Sequence, residues 1–379
     1  MDLTPSERQT LTEQTFAALF DSELVTDLRR MGQRDLGAGF EASADDASAD
    51  AREAVWQTLC ELGALRLTPE LTPGSGLADQ VVLARHIGGA LYQSPWADTA
   101  TAVDIATAAG RTDIVARLAD GEAAAVAVRA EAVDEPDRPG PVDVTTEPGR
   151  ARAVRRFVAF APDVRWLLLA GTGTGTGTGG ETMLLLVPAE HDGISWHRHD
   201  DMGRGDFYQV DFDGVPLADA VDLGGPDAGA VWAEALLRSR IRHAAYLMGM
   251  AGAALEETSA YMRTRRQFGR SLASQQAPAF RMADAATERE ATRLLVEEAA
   301  WLADTDRDAR LAALQALACA AELARRAATD AVQLHGAVGM TEEHDAQLFY
   351  RRAAVDSLLL GRPTELRRLA APLLARACA

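Results

Sequence analysis

The chain has 379 residues, 47% of them hydrophobic, and carries a formal net charge of -18 with three cysteines. That size and apolar share suit a soluble protein of two or three structural units around a large core. The negative charge repels phosphate backbones and anionic membranes and so argues against a nucleic-acid reader. Cys60, Cys319 and Cys378 are scattered, with no CxxC pair and no even-numbered framework, so neither a zinc ribbon nor a disulfide scaffold is supported. The N-terminus lacks a basic start followed by an apolar run, and no uninterrupted apolar stretch nears the ~20 residues that span a bilayer. The expectation is a cytoplasmic protein with no membrane segment.

Residues 1 to about 110 read as helices. Ser6 and Gln9 form a capping box that opens the run to Phe20. Val55, Trp56, Leu59, Leu62 and Leu65 fall at helical spacing, as do Val81, Val82, Ile87 and Leu91. Pro69, Pro73, Gly74 and Gly76 mark a loop between them. The small, acidic stretch 37–50 is expected to be mobile.

Past residue 121 the pattern changes to short runs rich in Val, Leu, Phe and Tyr. Those at 123–128, 164–171, 182–189 and 207–215 read as strands of a small β domain. The Gly-Thr repeat at 171–180 has neither GxGxxG nor GxxxxGK[ST] spacing, and it reads as a hairpin loop rather than a phosphate cradle. His197 and His199 lie in a polar segment with no nearby cysteine pair, so they read as surface residues and not as metal ligands. From about 228 the chain is helical again. Leu237, Ile241, Ala244, Met248, Ala251 and Leu255 form one stripe, and further helices are expected at 275–303, 307–334 and 343–359. The order predicts a mainly α protein with a central small β domain, divided at 1–118, 119–227 and 228–379, and ending in a four-helix bundle.

Two segments carry a more specific signal. TRRQFGRSLASQQAPAFRMAD at 264–284 resembles the R-x-x-F-G…Q…AD signature of the acyl-CoA dehydrogenase family. QLHGAVGMTEEHDAQLFYRRA at 333–353 is similar to that family's Q-x-x-G-G-x-G segment and the Arg-bearing helix after it. CELGALRL, ARHIGGALYQSPW and DFYQVDFDGVPL resemble family segments more loosely. The resemblance implies an N-terminal helical domain, a β-barrel-like middle domain and a C-terminal bundle. It also implies FAD as cofactor, an acyl thioester as substrate, and a dimer or tetramer in which the second segment reaches the FAD of a neighbouring subunit. The FAD contacts implied are Arg265, Gln267, Phe268, Gln276, Gln333, Leu334, Gly336 and Gly339. Physical chemistry agrees: the guanidinium forks of Arg265 and Arg266 suit pyrophosphate oxygens, and Gly269 and Gly336 permit close backbone approach. His335, inside the second motif, reads as a hydrogen-bonded interface residue.

The pattern departs from the family where the chemistry is done. Family members take the substrate α-proton with a carboxylate whose proton affinity is raised by desolvation. The usual place for it, just before a Gly, is Leu360 here, and the minority place falls at Ser239. Two β-domain segments that touch the flavin ring read AVAVRAEAVDEPD and RRFVAFAPDV, without the expected hydroxyls. Three readings follow. A displaced carboxylate serves as base, with Asp356 and Glu365 as candidates and Glu234 a further one. Alternatively, the chain is the base-less partner in a heterotetramer. In the third, the fold serves different flavin or non-redox chemistry in a biosynthetic pathway.

Overall fold

The computed structural model describes residues 4–21, 46–130, 137–145, 149–174, 180–201 and 203–377, with the backbone alone for 46–51. Most of the 37–50 stretch and Cys378 fall outside these residues. Five helices come first: α1 (Glu7–Phe20), α2 (Asp46–Glu61), α3 (Leu77–Gly89), α4 (Trp96–Ala108) and α5 (Thr112–Ala119). The capping box at Ser6 is formed, with the Gln9 N–H on Ser6 Oγ and the Ser6 N–H on the Gln9 side chain. Val55, Leu59 and Leu65 are buried, but Leu62 is 41% exposed because α2 ends one residue before it, in a turn.

Eight strands follow, from β1 (Ala124–Ala127), β2 (Pro141–Thr145) and β3 (Arg150–Ala159) through β4 (Trp166–Gly173) and β5 (Thr182–Pro188). The set ends with β6 (Ile194–Arg198), β7 (Phe207–Pro216) and β8 (Val221–Asp222). They form one sheet in the order β6-β7-β3-β2-β4-β5-β8, with β1 and β2 both parallel to β4 and lying one after the other along its edge. The Gly-Thr repeat joins β4 to β5 in an antiparallel hairpin; its residues 175–179 lie outside the described set. β4 is buried on both faces: Leu168 and Ala170 meet Val103, Ile114 and Trp232 of the helices, while Leu167 and Leu169 join the main core. That explains its unbroken apolar run in place of an alternating one.

The C-terminal third begins with α6 (Ala228–Thr264) and a short hairpin of β9 (Arg266–Gln267) and β10 (Arg270–Ser271). Then come α7 (Gln276–Asp304), α8 (Arg310–His335), α9 (Ala346–Asp356) and α10 (Pro363–Ala377). All six residues of the predicted stripe on α6 are buried. The helix expected at 343–359 stops at Asp356, because Leu360 takes φ 58 and Gly361 φ 129 and the chain turns there. The last helix, α10, was not expected, although Pro363 at its first position is a start signal.

Helices α3 and α6 cross with almost no side chain between them. A Cβ on Gly88 would lie 1.9 Å from the Tyr246 carbonyl oxygen, and one on Gly249 would lie 2.0 Å from that of Arg85. Asp304, at the end of α7, accepts the Leu77 and Ala78 N–H groups at 2.7 and 2.9 Å and so caps α3. These contacts bind the first helical unit to the bundle, and they hold the floor of the cavity described next.

Candidate active site

A cavity of about 160 Å³ lies where α3, α4, β1, β3 and α6 converge. Its walls are largely aromatic and aliphatic, with Tyr92, Trp96, Phe157, Phe160, Phe207 and Trp232 among them. Both positions singled out for a missing base, Leu360 and Ser239, line it. So do both β-domain segments that lack hydroxyls, through Val126, Val128 and Arg129 on one side and Arg156 and Phe157 on the other. Leu360 is held in left-handed backbone, and its carbonyl accepts Arg240 Nε–H at 3.0 Å; Arg240 is in turn paired with Asp137. Phe157 also has positive φ (56°), at an irregularity in the β3–β7 pairing. Its ring stacks at 4.8 Å on His199, which is therefore a packing residue behind the cavity wall and not a free surface histidine. His197 is exposed.

Two buried polar networks frame the cavity. In the first, Arg242 donates to Asp104 and Gln80 at 2.8 Å each and to Thr101 and Ser239 at 3.2 Å. In the second, Arg204 forms a bidentate pair with Asp206 and reaches Asp356 Oδ1 at 3.0 Å. The Tyr246 hydroxyl donates to Asp356 Oδ2 at 2.7 Å, and His243 Nε2 is 2.8 Å from the Asp356 carbonyl oxygen. Burial, followed by the Asp356 charge, pushes the Tyr246 hydroxyl well above its ordinary range. Burial lowers the proton affinity of His243 against the opposing pull of Asp356. Burial would strip the proton from Arg204 as well, but Asp206 and Asp356 outweigh it and hold the guanidinium charged.

The carboxylates named from sequence sit away from this lining. Asp356 is 0% exposed and fully engaged in the second network; Arg352, four residues earlier on α9, hydrogen-bonds Gln93. Glu365 accepts the Arg362 N–H at 3.2 Å and pairs with that guanidinium, capping the start of α10. Glu234 is exposed on α6. The carboxylate that does line the cavity is Asp98, in the first turn of α4, its Oδ2 accepting the Val126 N–H at 2.9 Å. Burial raises its proton affinity to a pKa of about 6, more than the Val126 N–H and the Arg204 charge lower it. Asp98 is not among the carboxylates singled out from the sequence. The available signal was a polar line through a small-residue helix, Asp98, Thr101 and Asp104, each three residues apart.

The two motif segments lie at one end of the bundle. Phe268 and Gly269 form the two-residue turn of the β9–β10 hairpin with φ 53° and 77°, a type I′ geometry. The turn presents Phe268 at 92% exposure between Arg266 and Arg270, with Gln267 and Arg265 also exposed. The Tyr261 carbonyl accepts the Arg265 N–H at 2.9 Å, and the Tyr261 hydroxyl donates to the His335 carbonyl at 3.4 Å. This joins the hairpin to the Gln333–Gly339 turn. There, Gln333 and Gly336 are exposed and Leu334 is partly so, while a Cβ on Gly339 would meet the Val332 carbonyl at 2.9 Å. Gln276 is exposed at the start of α7. His335 is buried, with Nδ1 2.7 Å from the Ala331 carbonyl and its ring 4.3 Å from Tyr261. Among the described residues, the guanidinium groups of Arg265, Arg266 and Arg270 make no ion pair, a donor set that fits a diphosphate.

Residues 228–371 match the family described as acyl-CoA dehydrogenase, C-terminal domain. The chain is 35% identical to probable acyl-CoA dehydrogenase YngJ of Bacillus subtilis (strain 168), over 49% of this chain and 50% of that protein. It therefore spans about half the length of that relative. It is 29% identical to acyl-CoA dehydrogenase IpdE2 of Mycobacterium tuberculosis over 97% of this chain and 98% of the other. In fold it is similar to the ChsE4-ChsE5 complex from Mycobacterium tuberculosis, with a TM-score of 0.83 at 24% identity and 99% of both chains covered. Residues 228–371 thus match a domain of the acyl-CoA dehydrogenase family, whose members are FAD-binding flavoproteins, and the similarity to an acyl-CoA dehydrogenase runs over nearly the whole chain. No helix among the described residues is long and apolar enough to cross a membrane.

Proposed function

We propose that the protein is an FAD-dependent dehydrogenase that introduces a double bond between the α- and β-carbons of an acyl thioester. The observation that carries this reading is the convergence of four chain segments on one cavity. The segments at 126–129, 156–160, 232–246 and 359–360 supply its walls, and both positions where the family resemblance puts a base face into it. The cavity is small and mostly apolar, which suits an acyl group and excludes bulk water from a developing carbanion. Arg265, Arg266 and Arg270 would hold the FAD diphosphate, with Phe268 packing on a ring and Gln333 and Gly336 approaching from the second segment. The chemistry FAD supplies in such a site is acceptance of a hydride from the substrate β-carbon. The remaining work falls to the chain: to orient the thioester, keep out water and receive the α-proton.

Exposed Phe268, Phe280, Val338 and Met340 cluster on elements around this second site. Apolar side chains beside a cofactor-binding turn support a homo-oligomer that buries them, with FAD at the seam. A second reading is the partner subunit of a heterotetramer. It is favoured by Leu360 and Ser239 standing where a carboxylate is expected, and by the likeness to a solved two-protein complex. The visible spectrum of the chain purified alone, followed by anaerobic addition of acyl-CoAs, separates the two. Bound flavin that bleaches with a thioester supports the dehydrogenase. A colourless protein that becomes yellow only when co-purified with a second family member supports the partner.

A further inference from the structure

Asp98 is the single carboxylate among the described residues that line the cavity. Its Oδ2 is fixed by the Val126 N–H at 2.9 Å, and Oδ1 makes no hydrogen bond or ion pair among the described residues. Two other groups on the cavity wall that could accept a proton, the Ser239 hydroxyl and the His243 ring, are already engaged. The Ser239 hydroxyl is shared between the Ala235 carbonyl, Thr101 and Arg242. His243 is tied to the Asp356 carbonyl and stacked on Tyr246, whose hydroxyl is spent on Asp356. Leu360 offers only hydrocarbon. Arg204, paired with Asp206 and Asp356, and Arg242, paired with Asp104, act on Asp98 together with Asp206, and Arg129 and Arg156 line the same cavity. The result is a carboxylate anchored by one oxygen and open at the other.

We propose that Asp98 is the proton acceptor of this cavity, taking the α-proton of a bound acyl thioester in place of a carboxylate at position 360 or 239. This rests on the dehydrogenase reading above. In the step, the α-carbon–hydrogen bond breaks and an O–H bond forms on Asp98 Oδ1. The electron pair passes onto the thioester carbonyl oxygen as an enolate. Proton transfer needs no oxidant; completing the double bond needs one of the flavin class, to accept the hydride that leaves the β-carbon. A pKa of about 6 leaves Asp98 ionised at neutral pH while keeping it more basic than an ordinary carboxylate. Backbone anchoring from β1 supplies the fixed orientation that a base requires.

The test separates proton transfer from redox turnover. Flavin-loaded protein is incubated anaerobically in deuterium oxide with a panel of straight-chain, branched and aromatic acyl-CoAs. Deuterium uptake at the α-carbon is read by mass spectrometry, with flavin bleaching followed in parallel. The wild type is expected to exchange the α-proton of at least one thioester. Asp98→Asn, which keeps an acceptor for the Val126 N–H, should lower the exchange rate ~100-fold or more, the usual scale of general-base loss. Asp98→Glu should restore part of it. In the wild type the exchange rate should rise with pH through about 6 and then level off, and this readout stands even where a variant does not fold. Wild-type bleaching together with undiminished exchange in Asp98→Asn, or a pH profile flat through this range, would overturn the assignment and leave the dehydrogenase standing. No exchange and no bleaching with any thioester would overturn both.

Discussion

The hydroxyl oxygens of Thr101 and Ser239 lie 2.7 Å apart, bridging α4 to α6 in the wall of the cavity. Both also accept from Arg242, whose charge is met by Asp104. The Ser239 hydroxyl is thus tied into a buried hydrogen-bond network that joins α4 to α6. Removing one member of such a network leaves its partners unpaired, so Ser239 holds a structural position.

The α3–α6 crossing should be intolerant of a single methyl group. Gly249→Ala places a Cβ 2.0 Å from the Arg85 carbonyl oxygen, a backbone atom that cannot swing away. Overpacking of this kind costs about 1–3 kcal/mol, and we expect the urea midpoint to fall accordingly. An unchanged midpoint would show that the two helices separate without penalty.

Asp356 should matter for stability. Asp356→Asn removes the charge facing Arg204 and weakens the Tyr246 bond inside a fully buried cluster. Breaking a buried pair costs about 3 kcal/mol, with Asp206 left to neutralise Arg204. Equilibrium denaturation of the variant measures this directly. Wild-type stability with abolished α-proton exchange would instead make Asp356 the proton acceptor.

Flavin retention should depend on the hairpin cations. If Arg265 meets the FAD diphosphate, Arg265→Ala loses about 1.5–3 kcal/mol of cofactor affinity, the scale of a hydrogen bond to a charged group. Equilibrium dialysis against free FAD would read this as a Kd raised roughly tenfold to a hundredfold. Because the Arg265 side chain is exposed, the fold itself should be undisturbed. Full flavin occupancy in the variant would reject the contact.

Asp98 should leave a mark on the pH dependence of stability in the ligand-free protein. Its pKa rises from 3.8 to about 6 in the native state. Between these values the folded protein holds a proton that the unfolded chain releases. By linkage, this group's contribution to stability therefore falls as pH rises through the window, and the loss is complete above it. Asp98→Asn cannot ionise, so its urea midpoint should exceed that of the wild type at neutral pH. That gap should close as pH is lowered to the ordinary aspartate range. A gap of constant size would show that Asp98 titrates normally.

Much of the helical scaffold was legible because its chemistry is local. The 3.6-residue stripe from Leu237 to Leu255 marks the buried face of α6, and the Ser6–Gln9 box marks the start of α1. Strands with continuous apolar runs, such as β4 and β5, were equally clear. β3 was harder to see: RARAVRRFVA alternates arginine with alanine, so its period of two is present but its hydrophobicity is low. Its fully buried Arg155 donates to the Gly140, Pro141 and Ala170 carbonyls, a role no local pattern reveals.

The sequence by itself carried the likeness to acyl-CoA dehydrogenases, the two motif segments and the absence of a carboxylate at positions 360 and 239, since each of these is a matter of residue type at a fixed spacing. Only the tertiary structure decided which acids face the cavity. Asp356 and Asp98 are both aspartates on helices, and nothing local tells them apart. Asp356 meets Arg204 from a loop 152 residues away in sequence, and that pairing consumes it. Asp98 meets only the backbone of β1, leaving one oxygen open to the cavity. The difference between a structural carboxylate and a reactive one lies in long-range partners, and those exist only once the chain has folded.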